Sequence, residues 1–174
     1  KERDSFEEEL AVTLLILFKK ISDQFKVVYE ETGRIINVKQ YKDQLSKILS
    51  DSYVDTMSNF SSTMEDNLKK QIETTESHEV RQRSALILAV LLDSKESIRI
   101  KSEDFIINQT MSHSDLILNT TQDVLDKNVD KIITELSEEL EGEKPTNVDI
   151  AKKSKIEIDE ANEKRVGTIS ETEV

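Results

Sequence analysis

The chain has no cysteine, a single proline and only three glycines in 174 residues. Without cysteine it has no disulfide and no thiolate chemistry. Gly33, Gly142 and Gly167 stand far apart, so no glycine-rich loop can cradle a phosphate. The two histidines, His78 and His113, fall in no metal-ligand spacing and read as polar surface residues. Neither a Gly-x-Ser-x-Gly elbow nor a Cys-His pairing occurs, and no carboxylate pair is framed by residues that would shift its pKa. These absences argue against an enzyme. The apolar fraction, 36%, lies below the usual globular range. Long helices, or surfaces completed by a partner, fit that figure better than a thick self-contained core.

Long hydrophobic runs are scarce as well. The longest, Leu10-Ala-Val-Thr-Leu-Leu-Ile-Leu-Phe18, is far too short to cross a bilayer as a helix. Acidic residues precede it and no small-residue cleavage site follows, which excludes a signal peptide. No membrane partner is expected.

Charge is abundant, at 34% of residues, and the formal net charge is −12. Such a balance excludes nucleic-acid binding over the whole surface. The distribution is uneven. Residues 80–102 hold five basic and two acidic side chains, whereas 103–144 hold three basic and eleven acidic. Any DNA contact is therefore expected at Arg81, Arg83, Arg99 and Lys101. Arg81 and Arg83 can equally form a solvated helix end.

Periodicity predicts an all-α fold, an elongated assembly of long helices over about 6–32, 38–73, 79–94, 103–111 and 114–141. Ser5-Phe-Glu-Glu8 is a capping-box signature for the first, and Gly33 closes it. The second starts after Asn37 and carries a stripe including Tyr41, Leu45, Leu49, Met57, Phe60, Met64 and Leu68. Thr74 to Ser77 interrupts it, because short polar side chains compete for helical backbone bonds. Ala85-Leu-Ile-Leu-Ala-Val-Leu-Leu92 and the run at 10–18 are apolar all round, so both are expected to be buried and to pack on each other or on shared neighbours. Further breaks are expected at Ile98–Lys101, which alternates, and at Ser112–Ser114. Glu138, Glu139 and Glu141 crowd the end of the fifth segment, where the helix dipole disfavours them, before Gly142 caps it. Residues 1–144 form one helical region, Glu143-Lys-Pro-Thr146 is the linker, and Asn147 caps a further helix.

The most specific stretch is the last, Ala161-Asn-Glu-Lys-Arg-Val-Gly-Thr-Ile-Ser-Glu-Thr-Glu-Val174. Arg165, Ile169 and Glu173 fall at four-residue steps on one helical stripe. Thr168-Ile-Ser-Glu171 can cap a helix start. Arg165 and Glu173 can serve as a buried polar clamp, paired with each other or with a neighbouring helix, or can meet a partner directly. The stretch resembles the phage Mu protein F family, minor head proteins of tailed bacteriophages. Members look like R-x-x-T/L-I-A-R-T-E-V/T, preceded by a short G-x-S/T-x-x-x-I-A-x-x-I helix. Arg165, Thr168, Ile169, Thr172 and Glu173 match, with Val148-Asp-Ile150-Ala151 standing for the upstream helix. Ser170 and Glu171 depart from the family's Ala-Arg, and the family continues beyond this point into a Cys/His-containing region.

The resemblance implies a non-enzymatic protein without cofactor or metal, of which 1–174 is the N-terminal helical part. It implies partners in the phage portal protein and other head proteins, and a role in head assembly or DNA delivery. It implies a location in the virion at the head and portal vertex, reached through the host cytoplasm. Two further readings stand beside it: a delivery module ahead of a toxin domain, and a structural coiled-coil interaction protein.

Overall fold

The computed structural model describes residues 2–173, and among them every regular element is helical. Helix α1 spans Glu2–Thr32, a 3-10 turn Val38–Tyr41 leads into α2 at Lys42–Thr74, α3 spans His78–Glu139, and α4 spans Asn147–Glu173. The all-α expectation holds. No helix among the described residues is long and apolar enough to cross a membrane.

The helix ends follow local chemistry. Gly33 sits at φ +66° and donates to the Tyr29 carbonyl at 2.9 Å, the left-handed cap that only glycine adopts without strain. Asn37 accepts from the Lys39 amide at 3.0 Å and starts the 3-10 turn. Ser77 caps α3 through the Val80 amide. Thr146, one residue before the expected Asn147, caps α4 by accepting from the Asp149 amide at 3.2 Å. Gly142, at φ +95°, follows α3 and donates to the Ser137 carbonyl.

Three sequence expectations are corrected. α3 is one helix of 62 residues, not three segments. Ile98–Lys101 is helical, and so is Ser112–Ser114, because buried Ser114 takes a side-chain bond from Ser46 at 3.0 Å instead of attacking its own backbone. α1 begins before Ser5, and Thr168 lies inside α4, so neither capping box starts a helix. The hydroxyl of Thr168 bonds back to the Lys164 carbonyl.

The chain forms two compact units. One combines the residues up to Leu49 with those from Met111 on; the other is Ser50–Thr110. The first is an up-down-up-down four-helix bundle. Antiparallel pairing of α1 with α4 is marked by Lys155 to Asp23 at 3.2 Å, and of α3 with α4 by Lys131 to Glu157 and Lys153 to Glu139, both at 3.3 Å. Lys153 reaches only Glu139 of the acidic end of α3, and Glu138, Glu139 and Glu141 are all exposed. Leu14, Phe18, Ile21 and Phe25 of α1 and Leu45, Leu49, Leu118, Leu125, Ile132 and Ile158 of the other helices are all essentially solvent-free. Each contributes about 1.5–3 kcal/mol of burial. Val12 and Ile16 remain exposed, so the first apolar run is buried on one side only.

The second unit is a two-helix hairpin, α2 from Ser50 against α3 up to Thr110. Its turn is held by Arg81, which donates to the Thr75 carbonyl at 2.7 Å and the Ile72 carbonyl at 3.3 Å. Ser84 meets Gln71 across the pair at 2.9 Å. Here the expectation of a buried second run fails. Leu86, Val90 and Leu92 are largely exposed, and Leu88 is half-buried. Two helices cannot enclose an all-round apolar segment, and this run belongs to a different unit from the run at 10–18.

Candidate functional site: the motif stripe of α4

Arg165 projects from α4 toward α3 and α1. Its guanidinium donates to Thr121 Oγ1 at 2.9 Å and to the Ile117 carbonyl at 3.3 Å, and lies 5.6 Å from the centre of the Phe18 ring. Thr121 in turn donates to that same Ile117 carbonyl at 2.8 Å. Burial lowers the Arg165 pKa, yet the group has acceptors and an aromatic face in place of water. Among the described residues no carboxylate is paired with it. The arginine is held by neutral acceptors.

Two turns on, Glu173 approaches His113 Nδ1 of α3 at 2.6 Å through one carboxylate oxygen and 2.8 Å through the other. The Glu173 side chain is only 6% exposed. Burial pushes its carboxyl up to about 7, because the apolar surroundings disfavour the charged form. His113, expected as a surface residue, is half-buried and belongs to this pair. Ile169, between the two polar positions, is half-buried, and Ser170 beside it is buried and bonded to the Val166 carbonyl at 2.7 Å.

The motif thus divides by face. Arg165, Ile169 and Glu173 turn inward, while Thr168 and Thr172 are exposed and bond back to carbonyls of their own helix. Arg165 and Glu173 do not pair with each other; each reaches α3. The arrangement can fix the register of α4 along α3. Among the described residues no group of three or more potential ligands could hold a metal ion. Val174 lies outside the described residues.

Sequence reading missed Gln122. This half-buried side chain accepts from the Val38 amide at 2.9 Å and donates to the Ile36 carbonyl at 3.0 Å, standing in for a peptide group against the α1–α2 connection. It also donates to Asp126 at 3.2 Å. Nothing near Gln122 in sequence marks it, because the Val38 amide and Ile36 carbonyl lie more than eighty residues away.

The four basic residues expected at DNA are not brought into one patch. Arg81 is committed to the Ile72 and Thr75 carbonyls, and Arg99 is ion-paired with Glu96 at 2.6 Å and with Glu103. Arg83 and Lys101 are exposed, eighteen residues or roughly 27 Å apart along α3.

Compared with known proteins, the chain matches no family model, and no curated protein or solved structure shows significant similarity to it.

Proposed function

We propose that the chain is the helical part of a minor head protein of a tailed bacteriophage, of the phage Mu protein F kind. In this reading it is not an enzyme. It joins the procapsid by binding the portal protein, assists head assembly or DNA delivery, and resides at the portal vertex of the virion. The observation that carries the reading is the motif stripe. Arg165 and Glu173, the two matched residues with demanding chemistry, both reach from α4 to α3, so the motif serves architecture.

For the portal contact, the exposed stripe Val54, Met57, Phe60 and Met64 of α2 offers the apolar anchors that hot spots require. Along 114–141, Leu118, Leu125, Val129 and Ile132 are buried in the bundle, while Leu116 and Leu140 stay exposed. Co-expression with the portal protein encoded alongside is the test. The two should co-purify, and Phe60→Asp should abolish this while leaving the thermal midpoint unchanged. Absence of co-purification with the parent chain would rule the reading out.

The structural coiled-coil reading is favoured by one separate observation, the apolar outer surface of the hairpin's α3 arm. DNA contact, if it occurs, rests on Arg83 and Lys101, and must weaken steeply with salt.

A further inference from the structure

Within the hairpin, α3 turns Ser84, Leu88 and Leu91 toward α2, and its opposite face carries Arg83, Leu86, Val90 and Asp93. At 100° per residue these four fall on one outward stripe. Leu86 is 68% and Val90 63% exposed. Arg83 and Asp93 are exposed too, and among the described residues neither has a hydrogen-bond or ion-pair partner. From Ser84 to Leu92 the helix carries no charge at all.

The stripe has an internal symmetry. Leu86 and Val90 each lie two residues from Leu88, and Arg83 and Asp93 each lie five residues from it. Set antiparallel to a copy of itself across a two-fold axis at the level of Leu88, this helix places Leu86 against Val90. It places Arg83 against Asp93 at both ends. A two-fold contact is isologous, each residue meeting its counterpart's partner and the reverse, and this stripe satisfies that condition in both charge and apolarity. Exposed Ala89, on one flank of the stripe, presents no bulk to keep the helices apart at an ordinary helix spacing, and exposed Ile87 extends the apolar surface on the other flank.

We infer that the outward face of α3 between Arg83 and Asp93 is a self-association surface, and that its occupant is the same helix of a second copy of this chain, running antiparallel. The pairing covers the apolar run that the hairpin leaves in solvent. It supplies partners to two charges that have none among the described residues. It uses a different face from the Val54 to Met64 stripe and does not depend on any portal contact.

Sedimentation velocity and light scattering on the full 174-residue chain, over about 5 to 100 µM, test it. The parent chain should show a concentration-dependent monomer–dimer equilibrium. Arg83→Glu alone and Asp93→Arg alone each set like charges opposite one another twice, and each should weaken the dimer about tenfold or more. An equimolar mixture of those two variants restores opposite charges at both ends. It should dimerise as the parent does, as should the double variant alone. A variant that merely destabilised the fold would not be rescued by mixing, and far-UV melting of each variant checks this separately. Leu86→Asp should leave only monomer. Monomeric parent chain across the range, or a dimer indifferent to the charge reversals, overturns the proposal.

Discussion

The two apolar runs, one in each unit, have similar composition and different fates. In the four-helix bundle Leu14 and Phe18 lose all contact with water, whereas in the hairpin Leu86 and Val90 keep most of theirs. Neighbours make the difference. A helix with companions on two or three sides can bury a wide stripe, while a helix with one companion buries only a narrow seam. The runs also share a property that hides this difference: each is too rich in Leu, Ile and Val to show a preferred face. Apolarity says that a segment gains from cover. It does not say whether the same chain supplies it.

The sharpest way to break the comparison is to put the same charge into each run. Leu14→Asp should cost more than about 4 kcal/mol and unfold the bundle, because an unpaired carboxylate would replace a fully buried side chain. Leu86→Asp should change stability by no more than about 0.5 kcal/mol. Urea unfolding followed by circular dichroism measures both. Equal losses would mean that the hairpin's outer face is covered within the monomer.

Next in size is Gln122→Ala. The bundle has no second route to satisfy the Val38 amide and Ile36 carbonyl, and leaving both unpaired should cost about 2–4 kcal/mol. Gln71→Ala in the hairpin removes only the partner of the Ser84 hydroxyl and should cost about 1 kcal/mol. Amide hydrogen exchange at Val38 should quicken in the first variant and stay as in the parent in the second.

What local chemistry controls was legible in the sequence. The cap at Gly33, the break at Thr75–Ser77 and the existence of α4 all follow from residues at those positions. The continuity of α3 was not legible. Serine and threonine read as helix breakers when their hydroxyls are free to bond the backbone outside a helix, but in this chain many are bonded back within one. Thr120, Thr121 and Thr134 each donate to the carbonyl four residues earlier, and the helix runs on. Half of the motif stripe was legible, since four-residue spacing lined up Arg165, Ile169 and Glu173. Their partners were not, because Thr121 and His113 become neighbours only when α4 folds back along α3.

A smaller difference between the units appears with pH. In the bundle, Glu173 is raised from 4.5 to about 7, so between those values the folded chain holds a proton that the unfolded chain has released. Stability from this group is full below about pH 4.5 and falls as pH rises toward 7. With the residue as a whole half-buried, solvent screening leaves about 1–2 kcal/mol of that effect. In the hairpin the sign is opposite. The bonds from Lys69 to Glu65 and from Arg99 to Glu96 lower those carboxyl pKa values, and what they contribute is lost as pH falls. Urea midpoints of the parent and Glu173→Gln between pH 4 and 8 should differ in slope, the variant losing the decline toward neutrality.

The smallest effect should be a gain. Gly167 is helical and exposed in α4, with open space where a Cβ would stand. Gly167→Ala should stabilise the bundle by about 0.5–1 kcal/mol. Gly33→Ala should do the reverse, since its φ is positive and a Cβ there would come within 3.2 Å of the Asn147 side chain. Thermal unfolding of the pair checks both signs.

The bundle is assembled from two stretches of chain with the whole hairpin between them, and this sets an order of events during synthesis. Residues 50–110 find their partners close by in sequence, so the hairpin can form as soon as it has left the ribosome. The bundle must wait for α4, whose contacts with α1 join residues more than a hundred positions apart. Until then α1 has its apolar side uncovered, which is the interval when a nascent chain is most open to aggregation or to chaperone capture. The intervening hairpin shortens that search. Ends already brought together leave a smaller loop to close, and loop entropy grows only with the logarithm of length. A hairpin that forms first therefore acts on the bundle as a staple does, by drawing residues near 49 and 111 together before their own partners have arrived.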